Sequence, residues 1–182
     1  MSREQLPVEL VDADGLPLGS TTVTHAHTAP GLLHRAFSVL LFDADGRLLL
    51  QQRAEAKTRF PLRWANACCG HPAPTKDVVT EAAQRLDEEL GLGSIALTPV
   101  GVYVYRALDP VTERVEHEYD HVLVGTVARE APRPDPAEVA ALRWADPDDV
   151  RRAIEAEPWS YAPWLAGVLA AWEAAAVEPG DR

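Results

Sequence analysis

Cysteine, lysine and long apolar runs are scarce in this 182-residue chain, and each scarcity excludes something. No stretch reaches the ~18 unbroken apolar residues of a membrane-spanning helix. Met1 to Pro7 has no apolar core of the kind a secretory signal needs. The two cysteines, Cys68 and Cys69, are adjacent. Neighbouring cysteines are too close for a relaxed disulfide, so a reduced, cytoplasmic setting is expected. No internal repeat or low-complexity linker interrupts the chain. Positive charge is also short. The formal net charge of −11 argues against general nucleic-acid binding, and an anionic ligand would need its own basic pocket. Only two lysines, Lys57 and Lys76, stand among many arginines, which singles out Lys57. The length fits one domain over 1–182, with short flexible ends at about 1–6 and 178–182.

What is present reads as alternating strands and helices. Val8 to Val11 is a strand, turned at Asp12–Gly15 and returned by Leu16 to Leu18. Arg35 to Asp43 is a buried strand, and Asp45-Gly46 is a hairpin signal that folds Arg47 to Arg53 back on it. Pro61 to Pro72 is loop-like, with at most a short strand near Trp64. Asp77 to Leu90 is the clearest helix. Val78, Val79, Ala82, Ala83, Leu86 and Leu90 form its apolar stripe, Thr75 or Asp77 caps it, and Gly91 ends it. Ile95 to Ala107 and Arg114 to Arg129 read as strands around an Asp109-Pro110 turn. Ala131 to Pro136 is irregular and Val139 to Trp144 a short strand. Asp146 to Glu157 and Tyr161 to Val177 read as helices, the second capped by Ser160. This order predicts an α+β fold, an α/β/α layered domain around a mixed sheet.

Several constellations carry chemistry. Asn66-Ala67-Cys68-Cys69-Gly70-His71-Pro72 sets a thiol two residues from an imidazole at a glycine turn. A thiol can move protons or attack, and an imidazole can hold a metal. His27 and His34 lie upstream, and Glu116 and Glu118 share one face of a strand downstream, with His117 on the other. His117 and His121 are therefore left out of any site. Three imidazoles and two carboxylates would suit Mn²⁺, Zn²⁺ or Mg²⁺. Taken singly, each of these residues also reads as an ordinary core or surface group. On the helix, Glu81, Arg85 and Glu89 stack four apart. They form either a surface ladder of ion pairs or an anion-holding arginine beside a carboxylate for Mg²⁺. Arg53 and Lys57 complete a basic set suited to phosphate oxygens.

Together these pieces resemble the type I isopentenyl-diphosphate isomerases, a branch of the Nudix superfamily. The resemblance runs from about Val8 to about Trp164. It rests on His27-x6-His34-Arg35-Ala36-Phe37-Ser38, Leu48 to Lys57, Trp64-x-Asn66-x-Cys68-Cys69-Gly70-His71-Pro72, Glu81 to Leu92, Tyr105-Arg106, Glu116-x-Glu118 and Pro158-Trp159-x-x-x-Trp164. It implies a Nudix-type domain that converts isopentenyl diphosphate to dimethylallyl diphosphate by protonation and deprotonation through a carbocation. It implies that His27, His34, His71, Glu116 and Glu118 bind one divalent metal. Glu89, with the Cys69 backbone carbonyl, would hold a Mg²⁺ that bridges to the substrate diphosphate. Arg53, Lys57 and Arg85 would hold the diphosphate. Cys69 and Glu118 would transfer protons, with Tyr105 bonded to the glutamate, and Trp159 would stack over the isoprenoid carbons. The implied partner is a small isoprenoid diphosphate, with no nucleic acid and no membrane, and the chain is expected to act as a monomer.

Three departures from the family pattern stand out. Val23 occupies a position usually held by a lysine, which predicts a raised KM. Lys76 and Gln84 replace two residues of the Nudix pattern together, as if one ion pair had been lost as a unit. Pro61-Leu62-Arg63-Trp64 replaces the commoner Pro-Gly-Val-Trp. The rival expectations are a Nudix hydrolase of a nucleoside diphosphate derivative and a non-catalytic metal- or isoprenoid-binding module.

Overall fold

The computed structural model describes residues 2–127 and 131–177. Its axis is β3 (His34–Phe42), which alternates between two cores because successive side chains point to opposite faces. Phe37, Val39 and Leu41 face one core, and Leu40 and Phe42 face the other. β8 (Val115–Thr126) runs parallel along the whole of β3, from His34↔Glu118 to Phe42↔Thr126. β7 (Thr98–Leu108) pairs antiparallel with β8. On the other side, β1 (Pro7–Val11) is paired with β2 (Pro17–Thr22) and touches β3 at Leu10↔His34. β4 (Leu48–Arg53) carries β5 (Trp64–Ala65) and β9 (Val139–Ala145). The sheet is therefore mixed, as the order of elements predicts.

Helices cover both faces. A short α1 (Val23–Ala26) follows β2, capped by the Thr22 side chain, which accepts from the His25 amide. α2 (Val78–Leu90) begins at Asp77, whose carboxylate accepts from the Thr80 amide at 2.8 Å, and ends at Gly91 with φ 65°. Its Ala82, Leu86 and Leu90 are fully buried against Val39, Leu41 and Leu123. Each buried leucine contributes roughly 1.5–3 kcal/mol relative to exposure. α3 (Pro147–Ala156) and α4 (Leu165–Val177) cover the opposite face. Trp164, Leu165, Val168 and Leu169 pack there on Leu40, Leu50 and Val122. This is the α/β/α layering, with one sheet serving both cores.

Some boundaries differ from the sequence reading. The last helix starts at Leu165, not Tyr161. Tyr161 bridges to Trp64, and the Ala162 amide donates to the Trp64 carbonyl at 2.8 Å. Pro163 also disfavours helical backbone at the residue before it. Residues 2–6 are not a loose end, for Arg3–Gln5 form a 3-10 turn. Arg3 pairs with Glu88 and Glu138, and Glu4 pairs with Arg59. β8 stops at Thr126. The continuation expected to Arg129, and the end expected at 178–182, lie outside the described residues. Among the described residues no helix is long and apolar enough to cross a membrane.

Candidate active site

The site exists because the sheet opens in the middle. β3 and β4 pair only at Phe42↔Leu48. Beyond that point, β6 (Cys68–Gly70) pairs with β3 while β5 pairs with β4, so the Asn66–Pro72 segment occupies the opening. Gly70 passes so close to Phe37 that a Cβ would meet its ring at 2.7 Å. A cavity of about 520 Å³ lies there. Cys69, His71, Glu116, Glu118 and Tyr105 line one part of it, and Arg53, Lys57 and Arg85 another.

The three histidines expected from separate stretches converge. Ring centroids are 4.6 Å apart for His27 and His34, 5.0 Å for His27 and His71, and 4.9 Å for His34 and His71. One ligand atom from each, with one from Glu118, lies within 4.8 Å of the others. His27 Nδ1 donates to the Val23 carbonyl and His34 Nδ1 to the Leu32 carbonyl, each at 2.7 Å. A carbonyl only accepts, so each ring carries a proton on Nδ1 and turns Nε2 toward the cluster. His27 Nε2 nonetheless sits 2.8 Å from Glu116 Oε2, and neither atom has a hydrogen-bond partner. His34 Nε2 is likewise buried and unpartnered. Leaving buried polar atoms unpaired costs about 1–3 kcal/mol each. Unpartnered imidazole nitrogens and a carboxylate oxygen gathered in this way suit a cation among them, and an imidazole and carboxylate donor set suits a divalent transition ion or Mg²⁺. The residues therefore fit a metal.

Glu118 is the most connected carboxylate. Oε1 accepts from His71 Nε2 at 2.9 Å, and Oε2 accepts from the Tyr105 hydroxyl at 2.7 Å. Burial opposes its ionisation, but the imidazoles of His34 and His71 beside it, the second hydrogen-bonded to it, hold its carboxyl well below the usual range. Burial also lowers His71 to about 4 despite the glutamate. Tyr105 is pushed up by burial and by the charge of Glu118, so it stays a donor.

Cys69 is the better placed thiol. Cys68 is fully buried among Leu86, Leu90 and Phe37, whereas Cys69 faces the cavity. Burial raises the Cys69 thiol to about 12, with Asp120 adding to the effect. Its sulfur lies 3.3 Å from Asn66 Oδ1 and 3.5 Å from Ser38 Oγ. Asn66 is locked, since Nδ2 donates to the Val39 and Cys68 carbonyls while Oδ1 accepts from Trp164 Nε1 at 3.0 Å.

The charged end is organised by ion pairs. Arg85 and Glu89 are buried, so the helix face is no surface ladder. Arg85 pairs with Glu89 and, at 2.8 Å, with Glu138. Lys57 pairs with Glu138 and lies 3.4 Å from Glu89. Gln51 Nε2 donates to Glu89 Oε2 at 3.2 Å. Two cations thus face two carboxylates. Salt-bridge partners hold the Glu138 carboxyl down at about 2, against its burial. Arg53 spends its guanidinium on the Arg59 and Phe60 carbonyls and sits 5.3 Å from the Trp164 ring centroid.

One expected residue is not brought in. Trp159 is 75% exposed and lines a separate cavity with Arg63, 5.8 Å from its ring. The aromatic wall of the main cavity is made by Trp164, Tyr105 and Phe37. Other residues of the site had no role in the sequence reading. Asp120 shares the face of Glu116 and Glu118, a parity visible in the strand's alternation. Asn66 lay inside the motif itself. Arg59, which pairs with Glu116 and Glu4, and Glu138 sit in irregular segments that give no periodic signal. Lys76 and Gln84 are both exposed, and no ion pair joins them to the loop or the helix among the described residues.

A NUDIX domain model matches residues 32–167. An isopentenyl-diphosphate Delta-isomerase of Nocardia farcinica is 60% identical over 97% of this chain and 100% of its own length. One from Streptomyces griseus is 44% identical over 94% of this chain and 84% of its own. A crystal structure from Deinococcus radiodurans superposes with a TM-score of 0.72 at 18% identity, covering 90% of this chain and 97% of the other. A Nudix hydrolase from M. Smegmatis, RenU, gives 0.59 at 19% identity over 96% and 98%. The last two carry the fold alone. On the sequence relatives and the family match, the chain belongs to the type I isopentenyl-diphosphate Delta-isomerases of the Nudix superfamily.

Proposed function

We propose that the protein isomerises isopentenyl diphosphate to dimethylallyl diphosphate, and that the opened sheet is where it does so. The observation that carries this reading is one cavity holding a thiol, a tyrosine-bonded glutamate and a basic end together. The reaction adds a proton to an unactivated alkene and removes another from the neighbouring carbon. Cys69 and Glu118 are the acid–base pair for these transfers, worth typically about 10²–10⁴-fold in rate each. Tyr105 holds one glutamate oxygen and leaves the other to the histidines. Lys57 and Arg85 receive the diphosphate, exchanging their present carboxylate partners for its oxygens, and Arg53 fixes the loop that carries Lys57. The carbocation between the two transfers would be captured by water, so the apolar walls from Phe37, Tyr105 and Trp164 matter as a dry enclosure. An aromatic face also attracts a desolvated cation by roughly 2 kcal/mol or more.

His27, His34, His71, Glu116 and Glu118 would hold Mn²⁺, Zn²⁺ or Mg²⁺. Glu89 and the Cys69 backbone carbonyl would hold a Mg²⁺ that neutralises the diphosphate. The bound cation at the histidines supplies positive charge that fixes Glu118 and tunes its proton affinity. We read the chain as one domain, because both cores share one sheet, and as a cytoplasmic monomer acting on a small isoprenoid diphosphate. Incubation with isopentenyl diphosphate and Mg²⁺ in deuterated water tests the reading. Deuterium-bearing dimethylallyl diphosphate is expected. Phosphate release from nucleotides with no allylic product would replace isomerisation with hydrolysis.

A further inference from the structure

A carboxyl group lies behind the catalytic thiol and has no part in the mechanism above. Asp120 is fully buried on β8, on the face that carries Glu116, Glu118 and then Val122. Beyond Asp120 this face turns apolar at Val122, and an unpaired carboxyl oxygen in a core costs about 1–3 kcal/mol. Asp120 bears that cost, for its Oδ1 has no hydrogen-bond partner. Its Oδ2 accepts from the Ser38 hydroxyl at 2.7 Å. Ser38 is itself 1% exposed, and its Oγ lies 3.5 Å from Cys69 Sγ. A serine hydroxyl has one proton. With that proton committed to Asp120, Ser38 can show Cys69 only a lone pair. Asn66 Oδ1, at 3.3 Å, shows it a second acceptor from another direction. The sulfur is thus set between two acceptors, each fixed from behind: Asn66 by Trp164, and Ser38 by Asp120.

We propose that Asp120 is a positioning residue that, through the Ser38 hydroxyl, fixes the Cys69 thiol for proton transfer. The inference rests on the isomerase reading. Asp120 removes rotation of the Ser38 hydroxyl, so the thiol hydrogen has one defined pair of acceptors. Were Ser38 free to turn, its own proton would point at sulfur in part of the population, and the thiol would shift to suit. A displacement on the 1 Å scale in a reacting group can cost about 10²-fold in rate.

The test compares Ser38→Ala, Asp120→Leu, Asp120→Asn and the double variant Ser38→Ala/Asp120→Leu in metal-loaded enzyme. Turnover, KM for isopentenyl diphosphate and metal content per chain are read for each. Wild-type turnover is measured first, and its absence would sink the isomerase reading itself. Ser38→Ala and Asp120→Leu should lower kcat by about 10²-fold at unchanged metal content, with KM within about threefold of wild type. Asp120→Asn keeps an acceptor oxygen for Ser38 and should recover most of the loss. The double variant should be no worse than Asp120→Leu, because the two residues act in one chain. Wild-type kcat in Ser38→Ala overturns the proposal, as does Asp120→Asn performing as poorly as Asp120→Leu at full metal content. If Asp120→Leu sheds metal or fails to fold, Ser38→Ala decides alone.

Discussion

The two ends of the cavity solve opposite electrostatic problems. At the α2 end, cations and anions balance without any ligand. Lys57 and Arg85 face Glu89 and Glu138, and Arg3 joins from the N-terminal turn. At the β8 end, the balance is incomplete. Arg59 pairs with one oxygen of Glu116, but His27 and His34 aim unpartnered nitrogens at a common point with Glu118, and the other Glu116 oxygen lies unpartnered beside His27. The first end is ready to exchange partners and the second to receive a cation. A ligand that brings anionic oxygens suits one, and a divalent ion suits the other. On the proposed function, this contrast accounts for how a chain with a net charge of −11 would take an anion: its positive charge is local and paired with carboxylates that an anionic ligand would replace.

The largest effects expected from breaking this contrast lie at the β8 end. Glu118→Gln should lose turnover by about 10⁴-fold together with bound metal, while Cys69→Ala should lose at least about 10²-fold and keep its metal. Metal analysis beside the rate assay separates the two. Equal metal loss in both would erase the distinction drawn between ligand and thiol. Next comes the α2 end. Arg85→Gln should raise KM by roughly 10–100-fold with a smaller change in kcat, the value of charge-assisted hydrogen bonds at about 1.5–3 kcal/mol. An unchanged KM would mean that Arg85 serves only Glu89 and Glu138.

Acid should weaken both ends of the metal-free protein, in two separate windows. His71 is held at about 4, below its ordinary 6.5, so as pH falls from 6.5 the unfolded chain takes up the proton first. Stability that is complete above 6.5 is therefore lost down to about 4. Glu138, lowered from 4.5 to about 2, loses its contribution across that lower window. Denaturant titrations over the two ranges should show both, and His71→Gln should shrink the upper one, leaving the smaller share of His121, which burial also lowers. A flat profile between 6.5 and 4 would contradict the burial of His71 as a neutral ring. The smallest effect belongs to the loop that departs from Pro-Gly. Leu62 is 49% exposed and adopts φ 60°, a left-handed conformation that costs about 1–2 kcal/mol for a residue with a side chain. Leu62→Gly should raise Tm slightly without changing kcat, and a lowered Tm would show that the side chain contributes more than the backbone strain costs.

The same contrast governs what the sequence made legible. The β8 strand and α2 were readable because their periods separate faces. Alternation sets Glu116 and Glu118 together, and helical spacing sets Arg85 beside Glu89. That alternation also reaches Asp120, whose meaning appears only once Ser38 and Cys69 lie across from it. Convergence of His27, His34 and His71 has no local signal, because β3, the end of α1 and the Gly70 turn meet through the parallel β3–β8 pairing and the opened sheet. The N-terminal turn and Glu138 were unreadable for the same reason. Their roles are set by ion pairs across distant segments, which leave no pattern in their own neighbourhoods. Trp159 shows the opposite error. Its place in a motif suggested the cavity, but the chain turns at Tyr161 and puts Trp164 there.

Deuterium exchange into the isoprenoid tests the central claim most directly. Wild-type and Cys69→Ala enzyme, each loaded with metal, would be incubated with isopentenyl diphosphate in deuterated water and followed by nuclear magnetic resonance. Wild-type enzyme should yield dimethylallyl diphosphate carrying deuterium, and Cys69→Ala should bind the same metal yet show product and exchange reduced by at least about 10²-fold. Undiminished exchange by Cys69→Ala would contradict a site built on that thiol.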